Sequence, residues 1–290
     1  MKYSLIRSIA SVLIVSFLLV LVSSCKTQTI YKSAWYENSE GKVENKNNYV
    51  DNIQYNSDAK MLYSIINDNK NLYVLLEVSD KTVQKKILMG GLTFWMDTIG
   101  EKEKQLGVTF PMKGSMKNKM GKMNKEEMMK QMQNGSLQGE INYHEINDKF
   151  ESSFNKMELI GFNNEKEPMI VFNKNPKGIN TTIRFDNKGT LNYRASIPLK
   201  LIFNNPNEFL SDSTKLFSFG FETGAVKMPS MGSGGKSGGG KKGGGMSQGG
   251  GSMSGKGGRG GGQSAAGMSG MQELSKPNKF WVKSTRLVKA

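Results

Sequence analysis

The feature that most restricts how this chain can fold is a rhythm of short apolar runs broken by polar turn clusters. Residues 61–66 and 72–78 are rich in β-branched, aromatic and aliphatic side chains, and only Asn67, Asp68, Asn69, Lys70 and Asn71 separate them. Such an Asn/Asp cluster between two β-rich runs predicts a hairpin. In the second run Leu72, Val74, Leu76 and Val78 share one face, which is expected to look into a core. Similar runs follow at 92–97, 107–110, 154–162, 169–172, 179–185, 190–198, 216–222 and 280–287, with Asp186, Asn187, Lys188 and Gly189 as a further turn. About ten short strands with few helices predict an all-β antiparallel sandwich of the immunoglobulin-like or jelly-roll type. No βαβ rhythm is present, which argues against a doubly wound nucleotide-binding fold.

Two segments break the rhythm. Residues 112–133 carry seven Met and six Lys, and Asn124, Lys125, Glu126 and Glu127 resemble a helix start. Residues 228–275 are Gly/Ser/Met/Lys low complexity: 20 of the 34 glycines lie between Gly232 and Gly270. The β pattern resumes at Phe280, so this stretch is expected to be a disordered loop between two strands and not a tail. Loop closure costs grow only logarithmically with length, so such an insertion is tolerable. A free Gly-rich chain of that length would hold its ends roughly 35–40 Å apart.

Charge follows the same division. Of the formal net charge of +15, residues 112–133 contribute +4 and residues 227–290 contribute +10, leaving the rest of the chain beyond Cys25 near neutral. Basicity is a property of the appendages. Single-strand nucleic-acid binders interleave basic groups with aromatic platforms. No aromatic residue occurs from 228 to 279, so no nucleic acid is expected as a partner.

The chain opens with Lys2 and Arg7, then an uncharged, apolar run of 17 residues to Ser24, followed by the only cysteine, Cys25. A charged start, an apolar middle and a small-residue end describe a secretory signal peptide over 1–24. The run falls short of the ~20 residues of a comfortable membrane span. Leu21, Val22, Ser23, Ser24 and Cys25 resemble a bacterial lipobox, which implies palmitate or similar acyl chains on Cys25. Burying acyl chains is worth about 0.8 kcal/mol per CH₂, so two or more hold durably. Lys26 follows, without the Asp that marks inner-membrane retention in Gram-negative bacteria, so an outer-membrane address in the bacterial cell envelope is expected. Residues 25–48 then read as the lipidated cysteine and a polar tether, and 49–290 as one sandwich domain with insertions at 112–139 and 228–275.

The succession from Asn71 to Asp80, then Phe94, Trp95, Met96 and Asp97, then Gly107 to Pro111, and later Tyr193 to Pro198, resembles family 9 carbohydrate-binding modules and their DOMON-like relatives. The resemblance spans roughly 49–287, interrupted by the two insertions. It implies a β-sandwich that binds sugars without cleaving them. It departs from the family at Met89, Gly90 and Gly91, where acidic residues usually stand. In an alternating strand Trp95 shares a face with Thr93 and Asp97, opposite Phe94 and Met96. An exposed ring beside a carboxylate is what a sugar platform requires, so Trp95, Asp97 and Trp281 are the candidate ligand-binding residues. Packing of Trp95 in a core, and turn capping by Asp80 and Asp97, are the structural alternatives.

Catalytic signatures are absent from the pattern. The spacing of Asp80, Asp97 and Glu222 singles out no carboxylate pair, and His144, the only histidine, has no companion thiol or imidazole. No enzyme, cofactor or metal site is expected. The leading expectation is a membrane-anchored, non-catalytic envelope lipoprotein, binding carbohydrate through its sandwich and lipid through Cys25. One alternative is a structural protein touching anionic envelope surfaces through the basic Gly-rich loop. Another is a copper protein using the soft thioethers between Met112 and Met132.

Overall fold

The computed structural model describes residues 29–36, 52–115, 142–162, 167–226 and 272–289. Among the described residues, thirteen strands form two sheets packed face to face: an all-β sandwich. The seven-stranded sheet runs β1 (Tyr31–Lys32), β13 (Lys279–Arg286), β12 (Phe217–Thr223), β6 (Leu92–Asp97), β7 (Leu106–Thr109), β8 (Lys156–Ile160), β9 (Met169–Phe172). The second sheet runs β10 (Asn180–Phe185), β11 (Leu191–Pro198), β5 (Asn71–Val78), β4 (Met61–Asn67), β2 (Ala34–Trp35), with β3 (Gln54–Asn56) also pairing with β4.

Alternation places the core where the sequence predicts. Leu72, Val74, Leu76 and Val78 of β5 face Phe94 and Met96 of β6 and Phe217, Phe219 and Phe221 of β12 in one buried cluster. The hairpin between β4 and β5 closes with Asn67 opposite Leu72. In its turn the Asp68 carboxylate accepts the amides of Lys70 and Asn71, both at 2.6 Å, the local bond that makes Asp a turn residue. The opposite face of β5 is also covered, because Tyr73 and Leu75 pack with Tyr36 and Ile66 in a second cluster. Strands β12 and β13 are antiparallel neighbours, so residues 227–271 connect two strands of one hairpin. Val226 N donates to Leu274 O at 3.0 Å, pinning the base of that connection.

Three elements depart from the sequence expectation. Residues 29–36, expected within the tether of 25–48, enter the sandwich: β1 pairs in parallel with β13 and β2 in parallel with β4. The driving force is burial of Tyr31, which is 4% exposed and rests on Tyr63 and Phe219, one from each sheet. A helix, α1 (Lys81–Gly90), occupies a stretch that carried no assignment. Another, α2 (Tyr143–Ser153), ends just before the run expected at 154–162, of which β8 takes Lys156–Ile160. The Asn147 side-chain amide of α2 bonds both N and O of Phe185, at 2.7 and 2.9 Å, capping the edge strand β10. A short helix, α3 (Pro206–Ser211), lies before β12, and no described helix is long and apolar enough to cross a membrane. The expected helix within 112–139 and all but the last residues of the 228–275 loop lie outside the described residues, as does the signal peptide.

Candidate functional site

The outer face of the seven-stranded sheet is built from the residues that alternate away from the core. Cross-strand register lines up Trp281 on β13, Gly220 on β12, Trp95 on β6, Gly107 on β7 and Ile160 on β8. The neighbouring rung holds Lys279, Glu222, Thr93, Thr109, Glu158 and Ile170. The two indoles therefore stand two strands apart, about 10 Å, on one line across the sheet.

Glycine makes this arrangement possible. A Cβ on Gly107 would lie 2.6 Å from Cζ3 of Trp95, and one on Gly220 would lie 2.7 Å from Cδ2 of Trp281. Each indole thus lies across the neighbouring strand in space that any other residue would fill. Trp95 is 9% exposed and is held on three sides. Its Nε1 donates to Glu222 Oε2 at 3.0 Å, Lys104 Nζ sits over the ring 5.1 Å from its centroid, and Lys104 pairs with the same Glu222 oxygen at 2.5 Å. Trp281 is only half-buried and is the more accessible ring. Between the strands, Thr93 and Thr109 share a hydroxyl hydrogen bond of 2.9 Å. Further along, Lys156 lies 5.2 Å over Phe172, which is 59% exposed beside Ile170 at 57%. Rings, hydroxyls, a carboxylate and ammonium groups on an open sheet face can stack on apolar C–H surfaces while bonding hydroxyls.

No family model matches the chain, and no curated protein matches it. Chains among the solved structures do. A family 9 carbohydrate-binding module from Caldicellulosiruptor kristjanssonii, in complex with glucose, is similar at 11% identity, covering 67% of this chain and 78% of that one, with a TM-score of 0.28.

The structure brings Trp95 and Trp281 onto one face but withdraws Asp97 from it. Asp97 is 0% exposed, and its carboxylate accepts the amides of Ile99 at 2.8 Å and Glu103 at 3.0 Å. Its expected ligand contact gives way to fastening the loop between β6 and β7, because both oxygens are taken by backbone. Glu222 supplies the carboxylate beside the ring instead. The signal for it was present: Phe217, Phe219 and Phe221 inward force Ser218, Gly220 and Glu222 outward. Asp80 caps α1 rather than facing a ligand. His144 lies exposed on α2, 3.1 Å from Asp148 one turn on. Cys25 and the methionines from Met116 to Met132 lie outside the described residues. Among those described, no cluster of three His, Cys, Asp or Glu side chains could hold a metal.

A cleft of about 450 Å³ opens elsewhere, lined by Thr98, Phe203, Asn204, Asn205, Glu208 and Lys215 among others. Its charged groups are engaged with each other: Glu208 pairs with Lys215, and Asn205 caps α3. The sheet face, with a ring and cations open to solvent, is the better candidate.

Proposed function

We propose that this protein is a non-catalytic, lipid-anchored envelope component that holds polysaccharide on the outer face of its seven-stranded sheet. The observation that carries the reading is the line of Trp281, Gly220, Trp95 and Gly107, in which two strand positions are given up to glycine so that two indoles lie over the sheet. A glycine inside a strand is unfavourable by roughly 0.5–1 kcal/mol relative to alanine. On that surface the half-buried Trp281 ring supplies stacking area for a sugar, and Trp95 continues the line beneath Lys104. Trp281→Ala is expected to abolish retention on a broad polysaccharide array while the circular-dichroism spectrum stays that of a β protein. If the wild-type chain retains no glycan, the reading fails.

The anchor is the second part of the proposal. Acyl chains on Cys25 follow from the lipobox-like segment, and mass spectrometry of protein from its native host should find them there. An unmodified thiol would remove the membrane from the proposal and leave the sheet face untouched. A second reading, contact with an anionic surface through residues 227–271, is favoured by where that basic, acid-free segment emerges: from one pinned point, Val226 against Leu274, at an end of the sandwich. Deleting 228–271 should then weaken the salt-sensitive part of envelope association; unchanged salt dependence argues against it.

A further inference from the structure

We propose that the polymer recognised on this face is acidic, a polysaccharide bearing uronic-acid carboxylates. The inference rests on the glycan reading above and narrows it by charge. Lys279 and Lys283 flank Trp281 two residues to either side on β13, both exposed. Alternation sets Lys279 on the outer face with Trp281, because Phe280 between them packs on the core, and Lys283 follows the core-packed Val282 at the start of the bulge that Ser284 marks with its positive φ. Neither lysine lies within 4 Å of a carboxylate among the described residues; the ion pairs there involve Lys60, Lys104, His144, Lys149, Arg184 and Lys215. Lys156 adds a third cation, facing the Phe172 ring rather than an acid.

The acidic side of the balance is already spent. Glu222 is bound to Lys104 and to the Trp95 indole, and Asp97 is buried against two amides. Among the described residues of this face, only Glu158 remains half-exposed without such partners. Along β13 the order is therefore cation, indole, cation, with about 7 Å between successive groups. A neutral chain lying on Trp281 would strip water from two ammonium groups and return only hydroxyl acceptors, with no countercharge. A uronate chain offers C–H faces to the indole and carboxylates to the flanking lysines, so the charges complement each other and fix the register of the polymer. Lys104 fits the same scheme: it lies over Trp95 and is half exposed, so an incoming carboxylate can share it with Glu222.

Affinity electrophoresis of the full chain tests this, with alginate and polygalacturonate in the gel against their carboxyl-reduced forms, which keep the backbones and lose the charge. The acidic polymers should bind at least about tenfold tighter than the reduced ones, with affinity falling as salt rises. Lys279→Gln with Lys283→Gln should remove most of that difference, and Trp281→Ala should remove binding to both kinds. These variants leave residues 227–271 unchanged, so lysines in that segment cannot produce the loss. Equal binding of acidic and reduced polymers, both lost in Trp281→Ala, overturns the acidic specificity but keeps the glycan reading. Binding of dextran sulfate or single-stranded DNA as tight as that of the uronates, and insensitive to Trp281→Ala, overturns it in favour of general polyanion attraction. No retention of any polymer overturns both.

Discussion

Gly107 and Trp95 are one structural unit. The strand gives up a side chain at 107, and the space above it is filled by the benzo ring of Trp95, whose indole N–H reaches Glu222. All three atoms nearest a Cβ at 107 belong to that ring, at 2.6, 2.8 and 3.2 Å, so the ring must lift if the Cβ is added. Lifting stretches the Nε1 bond to Glu222 and displaces Lys104. Gly107→Ala should therefore destabilise the protein by about 1–3 kcal/mol, the usual cost of overpacking. In a chain with Trp35 and Trp281 changed to Phe, it should also shift the remaining Trp95 emission to the red. Unchanged emission would mean that the indole does not rest on that glycine. At this scale the sequence is half legible. Alternation identifies which face Trp95 takes, but the meaning of Gly107, Gly220 and Asp97 depends on what stands across the neighbouring strand, and that register cannot be read from one strand alone.

The helix α1 shows where element-level reading fails and where its signal lay. Val83 and Ile87 are one turn apart and fully buried, but the charged Lys85 and Lys86 interrupt the apolar pattern. Lys86 is in fact 2% exposed, its ammonium bound to Asn278 Oδ1 at 2.5 Å, and burial lowers its pKa. Asp80 was read as a strand end or turn cap, whereas its carboxylate accepts the amides of Thr82 and Val83, both at 2.9 Å, as a helix N-cap does. Burial alone would raise the Asp80 pKa. The Val83 amide, the Lys60 ammonium at 3.0 Å and the Thr82 amide outweigh it and hold the carboxyl below its ordinary value. A pKa lowered on folding means stability that is full above the unfolded value of about 3.9 and is lost as pH falls through the folded one. Asp80→Ala should cost about 1–2 kcal/mol at neutral pH. Asp80→Asn keeps a capping oxygen, so its smaller deficit should be the charge-dependent part. Urea unfolding at pH 7, 4 and 2 should show that deficit shrinking towards acid; a deficit constant with pH would mean that the ion pair and charge contribute nothing. The longer strands, by contrast, were legible because six or eight alternating residues average out such exceptions.

At the scale of the whole molecule, the N-terminal segment decides how closely the sandwich can approach a membrane. Strands of two residues have no period to read, so β1 and β2 were invisible in the sequence, yet they lie against the outermost long strands of the two sheets, β13 and β4. Asn67 ties them down. Its Oδ1 accepts from Ser33 Oγ at 2.5 Å and from Val288 N at 3.3 Å, and its Nδ2 donates to Val288 O at 2.8 Å and Asp68 O at 3.2 Å. One fully buried amide thus joins the first strands, the first hairpin and the end of the last strand. Tyr31 adds a second tie: its hydroxyl accepts the Ile65 amide at 3.0 Å, and burial pushes its pKa up to about 12. If Cys25 carries the proposed acyl chains, six residue steps separate the bilayer from Tyr31, a reach of at most about 20 Å. A free tether over 25–48 would instead reach about 80 Å. Neutron reflectometry of the lipidated protein on a supported bilayer should therefore find the sandwich within about 20 Å of the headgroups. Val288 N keeps Ser33 Oγ at 3.0 Å in Asn67→Ala, but the Ser33 hydroxyl proton and the Val288 carbonyl lose their partner in a buried network, which should cost about 2–3 kcal/mol. That loss falls on the contacts holding residues 29–36, so the variant should also widen the gap. A wide gap in the wild type would show that these strands leave the sandwich at the membrane, and an unchanged gap in the variant would show that Tyr31 alone suffices to hold them.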